Sequence, residues 1–351
     1  MTMLFIDGFD HYAYNDLLKK WDTKSYATVL GTGCGGDILG PGRLGVGQYL
    51  GLEGITVHWF LPDEETSLVC GVGIYMYDTR TSISIGFNTQ SGDNQCNCYI
   101  EATTGIIYAR RGSTILGQSD PSVVTTGNWY YIQVKVTIHD TAGSMEIKLS
   151  DTTVVNVSGV DTKGGSESGC STFTLGGSFV GLPWILARFD DVYLCNQSGS
   201  KNNDFLGDVG VYTLYPNDAG TYTQFTPVPN DFLGTVPNYE NVDDVADIDE
   251  DETYNQSNVV GYIDTYNHEN LGVVSKEIFC VAQNSCLKKQ EAGLRRAKQV
   301  LISGVTTSKN TDFLVGDSYK VYQRLLENNP DDDAAWSDGD VAGIESGVEV
   351  V

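Results

Sequence analysis

Short runs of strand-forming residues recur about every ten positions through the first half of this chain, each cut off by glycine or a polar turn. No long stretch between them carries a helical apolar period. A chain punctuated in this way folds as a β-sandwich or barrel. The longest run is Trp129–Ile138. There Ile132, Val134, Val136 and Ile138 fall on one face, and Gln133, Lys135 and Thr137 on the other. Gly54–Leu61, Ser67–Tyr77, Ser82–Phe87, Ser144–Leu149, Thr153–Val157 and Phe173–Leu175 read as further strands. Cys98–Ala102 and Ile106–Ala109 read as a hairpin around Thr103-Thr104-Gly105. Two apolar strands broken by acids, Leu4–Asp10 and Ala187–Leu194, bracket the series. Pairing them in one sheet would close the sandwich.

After Leu194 the pattern changes. Residues 196–203 are polar, and Asp204–Pro216 reads as another strand. Glu240 to Glu252 holds eight acids and no base, the mark of a solvated loop. Ser275–Gln283, Ser318–Leu326 and Gly347–Val351 are strand candidates. Leu287–Leu301 carries the basic cluster Lys288, Lys289, Arg295, Arg296 and Lys298, and Gly293 at its centre favours a bent pair of strands over a helix. Ser337 followed by Asp340 predicts a capped helix start. The expected organisation is a sandwich over 1–200, a connecting segment with a strand and an acidic loop over 201–257, and a smaller β-rich domain over 258–351.

The 351 residues carry 46 acids and 21 bases, a net charge of −25. Such a surface repels nucleic-acid phosphate, which argues against a nucleic-acid partner. No apolar run is long enough to span a bilayer, so no membrane insertion is expected. The first residues lack the basic and apolar regions of a secretory signal, which predicts a soluble product made in the cytoplasm. Eight cysteines are present. In that compartment most are expected as small buried hydrophobes. Cys96-x-Cys98 is too tight for a usual zinc site.

The Trp129 strand with Gly143–Leu149 resembles the centre of a laminin-G or concanavalin A-like jelly roll, and Phe189-Asp190-Asp191-Val192-Tyr193 resembles its closing strand. That implies an all-β fold: a concanavalin A-like jelly-roll sandwich followed by a smaller β-rich domain. A narrower resemblance is to virion proteins of tailed bacteriophages. It rests on Ile6–Tyr12, Trp21, Asn203–Asp208, and Asn329-Pro330-Asp331 with Ala335-Trp336, in that order. This resemblance implies a non-enzymatic structural component of the particle, in the tail or fibre, synthesised in the host cytoplasm. Its expected partners are other virion proteins, copies of itself in a homo-oligomer, and host-surface glycans. A capsid decoration protein is the alternative placement. In a particle that oxidises after release, Cys280 and Cys286 are the first disulfide candidates.

Some jelly rolls are glycoside hydrolases, which place two carboxylates on one strand face. No strand here alternates acids in that way, and Asp190 and Asp191, being adjacent, are expected on opposite faces. No nucleophile elbow or phosphate loop occurs. The reading is therefore not an enzyme, with a hydrolase as the alternative of another class and a free-standing lectin as a third choice. No cofactor is implied. Calcium is considered at Asp331-Asp332-Asp333 or at Asp247, Asp249 and Asp251, whose spacing opens like an EF-hand loop. That loop lacks its glycine, with Glu252 in place, and its last glutamate, with Asn258 in place. For sugar binding, aromatic rings and amides near turns point to Tyr75, Tyr77, Asn88 and Trp184.

Overall fold

The first and last strands of the bracketed region do pair. β1 (Met3–Asp7) runs antiparallel to β15 (Ala187–Asn196), with Ile6 opposite Tyr193. The structure is a computed structural model that describes residues 2–26, 35–178, 187–229, 236–245, 247–272 and 277–351. It divides into two units: residues 1–9 with 21–211, and residues 10–20 with 212–351. The expected boundary near 200 thus moves to 211. The stretch 201–257 is no separate connector, and eleven residues near the start belong with the second unit.

The first unit is an all-β jelly-roll sandwich. One sheet has the order β13 (Thr152–Val160), β12 (Gly143–Leu149), β11 (Trp129–Thr137), β6 (Ser67–Met76), β15, β4 (Tyr49–Glu53), β3 (Gly35–Leu39), with β1 also on β15. The other has the order β10 (Thr114–Gln118), β9 (Ile106–Arg111), β8 (Asn94–Glu101), β7 (Ser82–Asn88), β14 (Cys170–Ser178), β5 (Ile55–Glu65), β2 (Thr23–Tyr26). The two sheets pack face to face, because each presents one apolar face that needs cover. Ile132, Val134, Ile74, Ile85, Phe87, Leu175 and Phe189 are fully buried between them. Each such side chain contributes roughly 1.5–3 kcal/mol on burial. Cys70, Cys96, Cys98, Cys170 and Cys195 are buried free thiols, as small hydrophobes should be.

Two polar anchors complete this core. The Nε1 of Trp21 donates to Asp7 Oδ2 at 2.9 Å, and the Phe9 amide donates to Asp7 Oδ1 at 3.0 Å. Gln133, expected on the solvent side of its strand, is also fully buried. The cause is residues 204–211, which lie as a strap over the outer face of the first sheet. Gly207 N donates to Gln133 Oε1 at 2.9 Å, Leu206 N to Tyr193 Oη at 3.2 Å, and Val211 N to Asp191 Oδ1 at 2.7 Å. The strand expected over Asp204–Pro216 does not form. The strap's amides are satisfied by side chains of the sheet beneath, not by a neighbouring strand.

The second unit holds β16 (Pro216–Thr223), β17 (Thr226–Val228), β18 (Tyr254–Gln256), β19 (Ile263–His268), β20 (Val281–Leu287), β21 (Arg296–Ser303), β22 (Thr306–Lys309), β23 (Phe313–Leu314), β24 (Lys320–Leu326) and β25 (Glu345–Val350). Its main sheet has the order β16-β19-β25-β21-β22, with β23 on β21, while β17 pairs β18 and β20 pairs β24. The two strands flanking Gly293 therefore exist, but they pair with other partners. The Ser337 helix forms over Asp338–Ala342 with a complete capping box. Trp336 packs with Leu301, Leu326, Val341 and Ile344, and its Nε1 donates to Leu326 O at 2.8 Å. No described helix is long and apolar enough to cross a membrane.

Candidate functional site

Residues directly opposite across an antiparallel sheet point the same way. In the β2–β10 sheet the inward row is apolar, so the residues between face outward. Strand pairing then lines up Thr23, His58, Thr174, Gly86, Asn97 and Arg110 as one row across six strands. The next row is Ser25, Thr56, Gly176, Ser84, Tyr99 and Tyr108. Six strands at their ordinary spacing make a face about 24 Å across. It offers hydroxyls, amides, an imidazole and a guanidinium, with two glycines as its floor. A Cβ at Gly176 would lie 2.7 Å from Thr56 Oγ1, and one at Gly86 would collide with Thr174 Oγ1. Glycine at these positions keeps the floor low and the threonine hydroxyls in place.

The Arg110 guanidinium sits 3.8 Å from the Tyr99 ring centroid and 4.6 Å from that of Tyr108. Its Nε and the Oδ1 of Asn97 are shielded from solvent and have no hydrogen-bond partner among the described residues. At the other end of the row, His58 Nε2 lies 2.9 Å from Ser25 Oγ. Burial pushes the His58 pKa down, which keeps the ring neutral near pH 7.

Asn88 belongs to this same sheet. It is nearly buried at the end of β7, opposite Thr172 and Asn94. Its amide is committed to Thr174 Oγ1 at 3.3 Å and to Asn94 Nδ2 at 2.7 Å, so it braces the row and does not point from it. Tyr75 and Tyr77 lie on the other sheet, around Arg188. Trp184 lies outside the described residues. The four residues expected to bind sugar are thus divided between two faces. Asn97, Tyr99, Tyr108 and Arg110 were missed, although the alternation in Asn97-Cys98-Tyr99 and Tyr108-Ala109-Arg110 carries their signal.

The other expected sites are corrected. Among the described residues no three His, Cys, Asp or Glu side chains converge to hold a metal ion. Asp249 accepts from the Thr253 hydroxyl, while Asp251 accepts from Lys288 Nζ at 2.5 Å and Tyr319 Oη at 3.1 Å. Among the described residues Asp247 shares no hydrogen bond with Asp249 or Asp251, which turn to different partners. Cys280 and Cys286 are both free thiols. Six residues of extended chain separate them by about 20 Å, far beyond disulfide reach. Asp190 and Asp191, expected on opposite faces, both meet Arg43. The register shifts between Asp190 and Tyr193, and Asp191 has φ 51°. This bulge turns both carboxylates the same way. Asp190 Oδ2 accepts from the Arg43 amide at 2.7 Å, and Asp191 Oδ2 from its Nε at 2.7 Å.

No family model and no curated protein matches the chain. Among solved structures, carbohydrate-binding module CBM66 from Bacillus subtilis matches at 13% identity and TM-score 0.30, covering 43% of this chain and 87% of that one. The alginate lyase Aly36B matches at 9% identity and TM-score 0.32, covering 54% and 95%. The Caenorhabditis elegans galectin LEC-6 matches at 6% identity and TM-score 0.26, covering 39% and 94%. Likeness at these scores says nothing of what this chain binds.

Proposed function

We propose that this chain is a non-enzymatic glycan-binding protein that takes sugar hydroxyls along the outward row of its β2–β10 sheet. One observation carries the reading: strand pairing sets the hydrogen-bonding side chains of Thr23, His58, Thr174, Asn97 and Arg110 in one outward row across the sheet. Hydroxyls, an amide and a guanidinium spaced along one face are the groups that bond the hydroxyls of a sugar. Of the adjacent acids, Asp191 pairs with the Arg43 guanidinium and Asp190 accepts from the Arg43 backbone amide.

The setting of this activity is the particle of a tailed phage, with the tail or fibre favoured over capsid decoration and with host-surface glycan as ligand. That part rests on the sequence resemblance alone. The test of the binding reading is a glycan array probed with the full chain, followed by calorimetry on the best ligand. Saturable binding that is lost in Asn97→Ala supports it, and no retained glycan overturns it. Immunogold labelling of purified particles tests the setting. Absence of the chain from particles overturns that part alone.

A further inference from the structure

The outer face of the other sheet carries a second arrangement. Strand pairing sets Asp37, Gly51, Arg188, Tyr75 and Trp129 in one row across five strands. Arg188 stands opposite Gly51, which has no side chain, and its guanidinium lies near the rings of Tyr49, Tyr75 and Tyr77. Arg188 Cζ is 4.6 Å from the Tyr49 centroid, 4.5 Å from Tyr75 and 5.6 Å from Tyr77. Trp129 closes the group, 5.5 Å from Tyr75 and 6.0 Å from Tyr49. Tyr77 is 52% exposed.

The chain has eight arginines and 46 acids. Arg43, Arg80, Arg111, Arg295 and Arg296 each hold a carboxylate. Arg324 bonds the Gln299 and Ser308 carbonyls and the Ser308 hydroxyl. Arg110 and Arg188 have ring contacts alone among the described residues, and of the two Arg188, half-buried, stands on this sheet. In so acidic a chain a guanidinium without a carboxylate is an open position for one from outside. Its plane is held by the tyrosines, so less motion is lost when a carboxylate takes its N–H edge in two parallel bonds. The exposed Tyr77 offers a ring beside the guanidinium on which a sugar can stack.

We propose that this face is a second ligand site, separate from the hydroxyl-binding row, and that it takes a carboxylate-bearing sugar of the uronic acid class.

The experiment is calorimetry on the full chain with an oligogalacturonate and with its carboxyl-reduced counterpart. The oligogalacturonate is expected to bind and the reduced sugar to bind at least tenfold more weakly. Arg188→Lys keeps the charge but loses the fork, and is expected to weaken the acidic ligand about tenfold, as a bidentate contact implies. Asn97→Ala is expected to leave it unchanged, which separates this site from the first. Melting curves accompany each variant. If Arg188→Lys unfolds, the exposed Tyr77→Ala replaces it, with a loss of fivefold or more expected. Equal binding of the two sugars, no binding of the acidic one, or unchanged affinity in the Arg188 or Tyr77 variant overturns the proposal. Loss of acidic binding in Asn97→Ala does so too, by placing the ligand on the other sheet.

Discussion

The Nε of Arg43 donates to Asp191 Oδ2 across 2.7 Å, joining residues 148 positions apart. Both side chains are nearly buried, at 7% and 4% exposure. The same guanidinium holds Asp208 at 2.5 Å and the Val209 carbonyl, and lies 4.7 Å from the Tyr131 ring. It thus ties the bulge of β15 to the strap. Replacing Arg43 by Met leaves Asp191 buried without its partner. The expected cost is about 3–5 kcal/mol. Urea denaturation of the two proteins measures it, and a change under 1 kcal/mol would show that the strap docks without this pair.

Gly71 lies under two tyrosines. A Cβ there would sit 2.8 Å from Tyr131 Oη and overlap the Tyr193 ring. Both tyrosines are buried, so neither can swing away. Gly71→Ala is expected to destabilise the sandwich by about 1–3 kcal/mol, the usual cost of overpacking. Gly92→Ala is the control for space alone, since nothing lies within 4 Å of its Cβ position, although its φ of 91° adds backbone strain. Near-UV circular dichroism should report the displaced tyrosines in the first variant only.

Acid should weaken the second unit through His268. Its Nε2 lies 3.1 Å from Ser346 Oγ, and burial pushes its pKa down to about 4. Between the unfolded value near 6.5 and pH 4, the unfolded chain binds the proton that the folded one refuses. Stability therefore falls with falling pH across that window, by about 3 kcal/mol in full. Asp244 acts in the opposite sense. Burial and the charges of Asp249, Asp243 and Asp247 raise it to about 6, so it takes up its proton more readily in the folded state. Being half-exposed, it is the weaker influence. The comparison that isolates the histidine is wild type against His268→Gln. The wild type should lose stability more steeply between pH 6.5 and 4.5, and parallel curves would remove His268 as the cause.

On the hydroxyl-binding row, Arg110→Ala and Asn97→Ala should each weaken a bound glycan about tenfold, near 1.4 kcal/mol. The Asn97 Oδ1 has no hydrogen-bond partner among the described residues, so the melting temperature of Asn97→Ala should hold, while Arg110→Ala also loses the contacts with Tyr99 and Tyr108. A stability loss above 1 kcal/mol in Asn97→Ala would mark that residue as structural. Titration calorimetry and differential scanning calorimetry on the same preparations give both readouts.

Much of the sandwich is legible in the chain because alternation has a period of two and each strand buries one side. Ile132, Val134 and Val136 are buried as their spacing requires. The pairing of β1 with β15 follows from matched apolar strands at the two ends of the domain. Residues marked in the sequence take structural places: Asp7 binds Trp21, residues 204–208 open the strap, and Trp336 fills the second core. The binding faces were only half legible. Tyr75 and Asn88 could be marked as ring and amide near turns, yet nothing local says that they stand on different sheets.

Local sequence thus determined which residues form strands and which side of each is apolar, since both depend on neighbours one or two positions away. Tertiary structure decided what covers the other side. Gln133 is buried by a strap more than seventy residues further on, and Asp190 and Asp191 meet Arg43 through a bulge that simple alternation does not contain. The row from His58 to Arg110 exists only because strands distant in the chain come into register, and register is set by packing across the whole sheet.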